Sequence, residues 1–198
     1  MAGPHEALEH SEHAEHASHG GNKRVALLIS VLALFLAFSE TLGKSAQTEG
    51  ISLNIKASDT WNFFQAKTIR QTAIRTAAEG LDVQTAGVTD PALKAAMAKQ
   101  IDAWKATVAR YDSDPKEKDG RKELREQAHA YEHERDTQLA RYHHYEVASA
   151  AFQIGIVLAS ATIITGMTVL SLIGLGLGGL GLVFMAIGLW FPHAVHFV

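Results

Sequence analysis

The chain contains no cysteine, which excludes a disulfide framework, a thiolate metal centre and a cysteine nucleophile. It also lacks an excess of either charge: 18 basic and 21 acidic side chains leave a formal net charge of -3. No electrostatic footprint for DNA or RNA is present, so nucleic acid is not an expected partner. Proline occurs only four times, at Pro4, Pro91, Pro115 and Pro192, so long unbroken helices are allowed over most of the length. The absence with the largest consequence is local. Every Lys and Arg lies between Lys23 and Arg141, and Val147 to Phe191 contains no charged residue and no histidine. Such a run belongs in a lipid bilayer.

Two apolar blocks carry the membrane reading. The first, Val25 to Phe38 (VALLISVLALFLAF), is led by Lys23 and Arg24. Its Val, Leu, Ile and Phe residues together favour insertion by roughly 3 to 6 kcal/mol, which outweighs Glu40 near its end. Arg24 to Gly43 makes about 30 Å of helix, one hydrocarbon thickness. A rival reading is a signal peptide cleaved near Ala37 and Ser39. The long, Glu-rich stretch ahead of the apolar core argues against it, since such leaders begin short and basic. The second block is long enough to cross twice and loses little by turning between Gly166 and Gly174. We expect helices at residues 147–170 and 171–191. Ala151, Gly155 and Ala159 on the first, and Gly174 and Gly178 on the second, are small residues four apart that let backbones approach closely. The pattern fits a hairpin within one chain and a contact between protomers equally well. Trp190, Phe191 and Pro192 then end the span at a depth that suits interfacial anchoring. Gly176, Gly178 and Gly181 match G-x-G-x-x-G, but they lie inside an apolar span with no strand before them and no acidic residue about 20 positions on, so they are not a nucleotide site.

Between the blocks, residues 44–146 hold 16 of the basic and 16 of the acidic residues. Asp90–Pro91 and Asp114–Pro115 each offer an N-cap followed by proline at the first helical position. After Asp90, Leu93, Met97, Ile101, Trp104, Val108 and Tyr111 repeat at three and four residues and mark a buried face. After Arg121, Leu124, Ala128, Tyr131, Arg135, Gln138, Tyr142 and Tyr145 do the same, with a polar centre that predicts partial packing. Residues 44–81 contain no proline and continue the first membrane helix outward. Three helices cannot simply zigzag home. Either the middle helix lies across the tip, or the linker Asp112–Gly120 runs back beside it. The expected fold is an all-α integral membrane protein. Three transmembrane helices (23–43, 147–170, 171–191) carry a coiled-coil-like helical hairpin (44–146) between the first and second, with tails at 1–22 and 192–198. Lys23 and Arg24 favour a cytoplasmic amino-terminal tail and the helical module on the opposite side.

Two clusters could carry chemistry. In the tail HEALEHSEHAEHASHGG, His10, His13, His16 and His19 recur every three residues among Glu6, Glu9, Glu12 and Glu15. Imidazole and carboxylate suit Zn, Ni or Cu. The plainer reading is a solvated tail whose histidines titrate near neutral pH, and a partner contact is the third. On the helix after Arg121, Glu126, His129, His133 and Asp136 are spaced three, four and three and share a face. Glu126 and His129 form the E-x-x-H pair of carboxylate-bridged metal bundles, whose second copy a homo-oligomer could supply by symmetry. Ordinary pairing among surface charges explains the stripe more simply. Tyr142, His143, His144 and Tyr145 precede the second block as an interfacial girdle, and Trp61, Phe63 and Phe64 read as packing. No Ser/His/Asp set is present, and no cofactor is required.

Taken together, the Glu/His-rich leader, NKRVALLISVLALFLAFSETLGKSAQTEGISLNIKASDTWNFFQAKTIRQT at residues 22–72, HERDTQLARYHHYEVASAAFQIGIVLASATIITG at residues 133–166 and the closing GLWFPH resemble the bacterial membrane family described as domain of unknown function 4337. The resemblance spans nearly the whole chain and implies a small inner-membrane protein with three spans and a helical insert. It brings no catalytic or binding residue to carry over. Where similar sequences often have Ala, this one has Gly50, which loosens a helix by roughly 1 kcal/mol. The expectation is therefore a non-enzymatic, homo-oligomeric scaffold of the bacterial envelope, with lipid and an envelope protein as partners. Divalent-metal handling through the tail is the alternative.

Overall fold

The computed structural model describes residues 23–194 and consists of four helices there: α1 (Lys23–Thr85), α2 (Pro91–Asp112), α3 (Arg121–Thr165) and α4 (Thr168–Trp190). Three of them, α1, α3 and α4, are long and apolar enough to cross a membrane. The chain divides into two compact units, residues 52–134 and the flanking segments to Ile51 and from Arg135.

The flanking unit is built on the apolar segments. Val25, Ile29, Leu32 and Leu36 of α1 interlock with Ala148, Phe152, Ile156 and Ala159 of α3, and Phe184 and Met185 of α4 close over them. The three- and four-residue spacing on both helices places each set on one stripe. Ala151, Gly155 and Ala159 are buried, as are Gly174 and Gly178. A Cβ on Gly155 would lie 3.0 Å from the Gly174 carbonyl oxygen, and one on Gly178 would run into Leu32 Cδ2. The small-residue stripes are thus used for close packing inside one chain. Gly181 likewise leaves room for the Phe152 ring, so Gly176, Gly178 and Gly181 sit mid-helix in α4 and form no phosphate loop.

Two polar contacts join helices within this unit. Ser39 is fully buried and its hydroxyl donates to the Tyr145 carbonyl at 2.9 Å. Gln153 donates to Glu40 at 3.3 Å, so the two strongly polar side chains of the apolar segments answer each other.

Two sequence expectations are corrected at turns. The boundary between the second and third apolar helices lies at Gly166–Met167, not at 170–171. Gly166 adopts φ 71°, the left-handed conformation that glycine enters without a Cβ clash, and its N–H closes on the Thr162 carbonyl at 2.9 Å. The helix therefore ends on a glycine C-cap. Asp114–Pro115 starts no helix. Asp114 Oδ1 accepts from the Glu117 amide at 3.2 Å, the backbone of Lys118 turns to φ 57°, and α3 begins at Arg121. Asp90–Pro91 does cap a helix, with the Asp90 carboxylate accepting from the Ala92 amide at 2.9 Å.

In the 52–134 unit, α1 is the common partner of both other helices. After the turn at 86–90, α2 returns alongside it. Gln71 donates to the Val108 carbonyl at 3.1 Å, and the Lys67 ammonium lies 5.5 Å from the Tyr111 ring centre. The apolar face of α2 turns inward at Ile101, 3% exposed, but not at Leu93, which lies in the first turn and is 51% exposed. The first turns of α3 then pack on the next stretch of α1: Arg121 donates to Thr68 at 2.9 Å, and Trp61 donates to Glu132 at 2.8 Å. Both helices run antiparallel to α1, one after the other. At 1.5 Å per residue, α2 covers about 33 Å and α3 to Glu134 about 21 Å, close to the about 51 Å of α1 from Ser52 to Thr85. The middle helix neither crosses the tip nor needs its linker to run back, because residues 113–120 only join two helices that travel the same way.

Candidate functional site

The residues with chemistry in the 52–134 unit gather where α2 ends and α3 starts. Lys67 is buried at 5% exposure, with its ammonium 2.7 Å from Asp119 and 5.2 Å from the Phe63 ring centre. A buried lysine is stable in its charged form only with such partners. Arg121 lies over the Phe64 ring at 5.1 Å, donates to Gln71 at 2.5 Å and reaches Asp112 at 3.6 Å. The Lys67–Asp119 ion pair and the stacking of Arg121 on Phe64 pin the 113–120 loop and the start of α3 to α1.

Glu123 closes the same corner. Its carboxylate accepts from the Ser113 hydroxyl at 2.6 Å and from the Asp114 amide at 3.2 Å. It sits in the first turn of α3, where free backbone amides favour an anion. The Ser113 hydrogen bond, with the backbone amides, holds its pKa below the ordinary carboxylate value. An open groove of about 430 Å³ lies beside this corner, lined by Asp59, Phe63, Glu117, Lys118, Asp119 and Gln127 among others. The charges around it are of both signs, and Lys67 and Asp119 already engage each other, so the corner acts as a structural clasp.

The α3 face singled out by spacing is present and exposed at Glu126, His129, His133 and Asp136. His129 Nδ1 lies 2.9 Å from Glu132 Oε2, with its ring edge-on to Trp61 at 5.2 Å. Asp136 takes the Arg135 guanidinium at 2.8 Å. Two of the four side chains thus contact neighbours on their own helix, and among the described residues no group of three or more His, Asp or Glu is gathered as for a metal. His10, His13, His16 and His19 lie outside the described residues.

Sequence reading missed two features. Glu132 belongs to no apparent motif, yet it joins Trp61 to His129. His144 lies in the stretch expected as a girdle, but it is buried at 0% exposure; its neighbour Tyr145, expected on the α3 seam, is buried as well, at 3%. His144 Nε2 lies 3.0 Å from the Pro192 carbonyl oxygen, and its ring stacks on Phe184 at 6.2 Å. The signal was available in the periodicity, since 144, 148, 151 and 155 continue one helical stripe and 145, 148 and 152 another. Tyr142 is half-buried and His143 exposed. Trp190 and Phe191 are 67% and 68% exposed.

No curated protein and no solved structure matches the chain. One family model does, over residues 21–191, which takes in all of α1 to α4. By that match the chain belongs to the family described as domain of unknown function (DUF4337).

Proposed function

We propose that this protein is a small multi-pass scaffold of the bacterial cytoplasmic membrane, homo-oligomeric and without catalytic activity, whose residues 52–134 form an interaction module. The observation that carries the reading is that α1, α3 and α4, beyond the stripe each gives to the core, leave most of their apolar residues facing outward. In their most apolar windows only 28%, 39% and 22% is buried, and Leu27, Leu34, Ile164 and Leu172 are more than half exposed. Apolar surface on that scale is stable only against lipid or protein. The cations Lys67 and Arg121 are engaged in holding the module together, which supports a structural use of its charges. Extraction of isolated membranes with alkaline carbonate tests the placement: the chain should stay in the pellet, and release into the supernatant would overturn it. Chemical cross-linking in native membranes tests the assembly, and recovery of monomer alone, with no partner, would overturn that part.

The repeating His10, His13, His16 and His19 favour a second reading, in which the tail captures Zn, Ni or Cu. Metal content of tag-free protein, compared with a chain lacking residues 2–20, separates the two. Stoichiometric metal that disappears with the tail supports metal handling, and metal retained without it points to Glu126, His129, His133 and Asp136.

A further inference from the structure

The outer stretch of α1 has a face that the fold leaves uncovered. Asn62, Ala66, Ile69, Ala73, Thr76, Gly80 and Val83 follow one another at alternating steps of four and three; none is charged, and all but the half-buried Ala66 are exposed. The spacing is that of a heptad seam, in which large and small positions alternate. Ile69 is 70% and Val83 76% exposed, while the positions Lys67, Gln71 and Ala78 of the same helix are buried against its neighbours. At 100° per residue the two sets lie on opposite sides of the helix. The exposed positions of α2, by contrast, carry Lys94, Lys99, Asp102, Lys105 and Arg110.

Gly80 sharpens the observation. A Cβ there would meet nothing within 4 Å, so packing within the chain does not require glycine at this position. Glycine is also among the poorest residues for a helix interior. Ala66, Ala73 and Gly80 instead form the small row of the seam, which allows a second helix backbone to come near.

Resting on the membrane-scaffold reading, we infer that a second copy of this chain docks here, parallel and in register, along residues 62–83. The direction follows from continuity: α1 is one unbroken helix from Lys23 to Thr85, so two copies inserted alike in one bilayer enter this stretch in the same sense. In that alignment each seam residue meets its own counterpart, as an isologous two-fold contact requires. Asn62 meets Asn62 at the membrane-proximal end, where two side-chain amides can hydrogen-bond to each other. The flanking positions meet as Gln65 with Arg70, Thr72 with Ala77 and Glu79 with Gln84, and no like charges oppose. A seam this short on aliphatic residues is weak alone. Tethering in a shared membrane raises its effective concentration.

The cysteine-free chain permits a direct test. Ile69→Cys and Thr76→Cys on the seam, and Ala103→Cys on α2 and Ala130→Cys on α3 as exposed controls, are oxidised in native membranes as single-cysteine full-length proteins. The seam positions should give disulfide-linked dimer at least ten times more efficiently than the controls, and Ala73→Glu in the same chain should abolish it without loss of membrane insertion. Dimer at Ala103 or Ala130 but not at Ile69 or Thr76 would overturn this seam while leaving a homo-oligomer in place. Equal yields at all four positions would show random collision and also overturn it. Monomer throughout would overturn this seam, while the homo-oligomer itself is decided separately by the chemical cross-linking of native membranes.

Discussion

Gly120 leaves no room for a side chain. A Cβ there would collide with the Asp114 backbone nitrogen and the Ser113 Cα as well as the Glu123 carboxylate. Backbone cannot move aside as a rotamer can, so Gly120→Ala should destabilise the 52–134 unit by about 2 kcal/mol, read as a lower midpoint in detergent denaturation. Glu123 makes the same corner sensitive to acid. Its pKa is lowered in the fold, so its stabilisation is complete above the unfolded carboxylate value of about 4.3 and is lost as pH falls through the lower folded value. The wild-type midpoint should therefore drop more steeply than that of Glu123→Gln between about pH 5 and about pH 3. Lys67 is buried while Asp119 is 43% exposed. A cut to Met keeps the packed stem and leaves Asp119 to water, so Lys67→Met should cost less than Lys67→Ala, which opens a gap against Phe63 and Tyr111; the difference should be about 1 to 2 kcal/mol.

At the scale of elements, the end of α3 depends on one conformation. Gly166 stands at φ 71° with nothing near its Cβ position, so Gly166→Ala meets no neighbour and suffers only backbone strain, about 1 to 2 kcal/mol. Gly155→Ala is a different case at equal size, because its Cβ would press on the Gly174 carbonyl oxygen and on Leu32. Comparison of the two variants separates strain from packing: Gly166→Ala should lower the unfolding midpoint alone, whereas Gly155→Ala should also change the proximity of α3 and α4 measured by spin labels on their exposed faces. Elements also explain why sequence reading erred where it did. Periodicity marks a helix without showing where it stops, and in an apolar run with several glycines each is an eligible end. Gly155 and Gly174 are held inside their helices by the close contact between α3 and α4, and Gly166, which packs on nothing, makes the turn. Asp114–Pro115 has the composition of a helix start, but the Glu123 carboxylate takes the Asp114 amide and holds this stretch as a turn.

For the whole molecule, apolar composition and length sufficed to mark three membrane-crossing candidates, because bilayer thickness sets the number of apolar residues a span needs. Residue identity alone also supplied the Asp90 cap, the inward face at Ile101 and the small-residue stripes, since each rests on local geometry. Tertiary structure decided three things. It paired Gly155 with Gly174 inside one chain, which a motif shared by hairpins and dimers does not specify. It laid α2 and the start of α3 end to end along α1, because Lys67, Gln71 and Thr68 find their partners only in that arrangement. It left residues 62–83 of α1 with an uncovered face, because whether a helical stripe is covered depends on which neighbours surround the helix and not on its own periodicity.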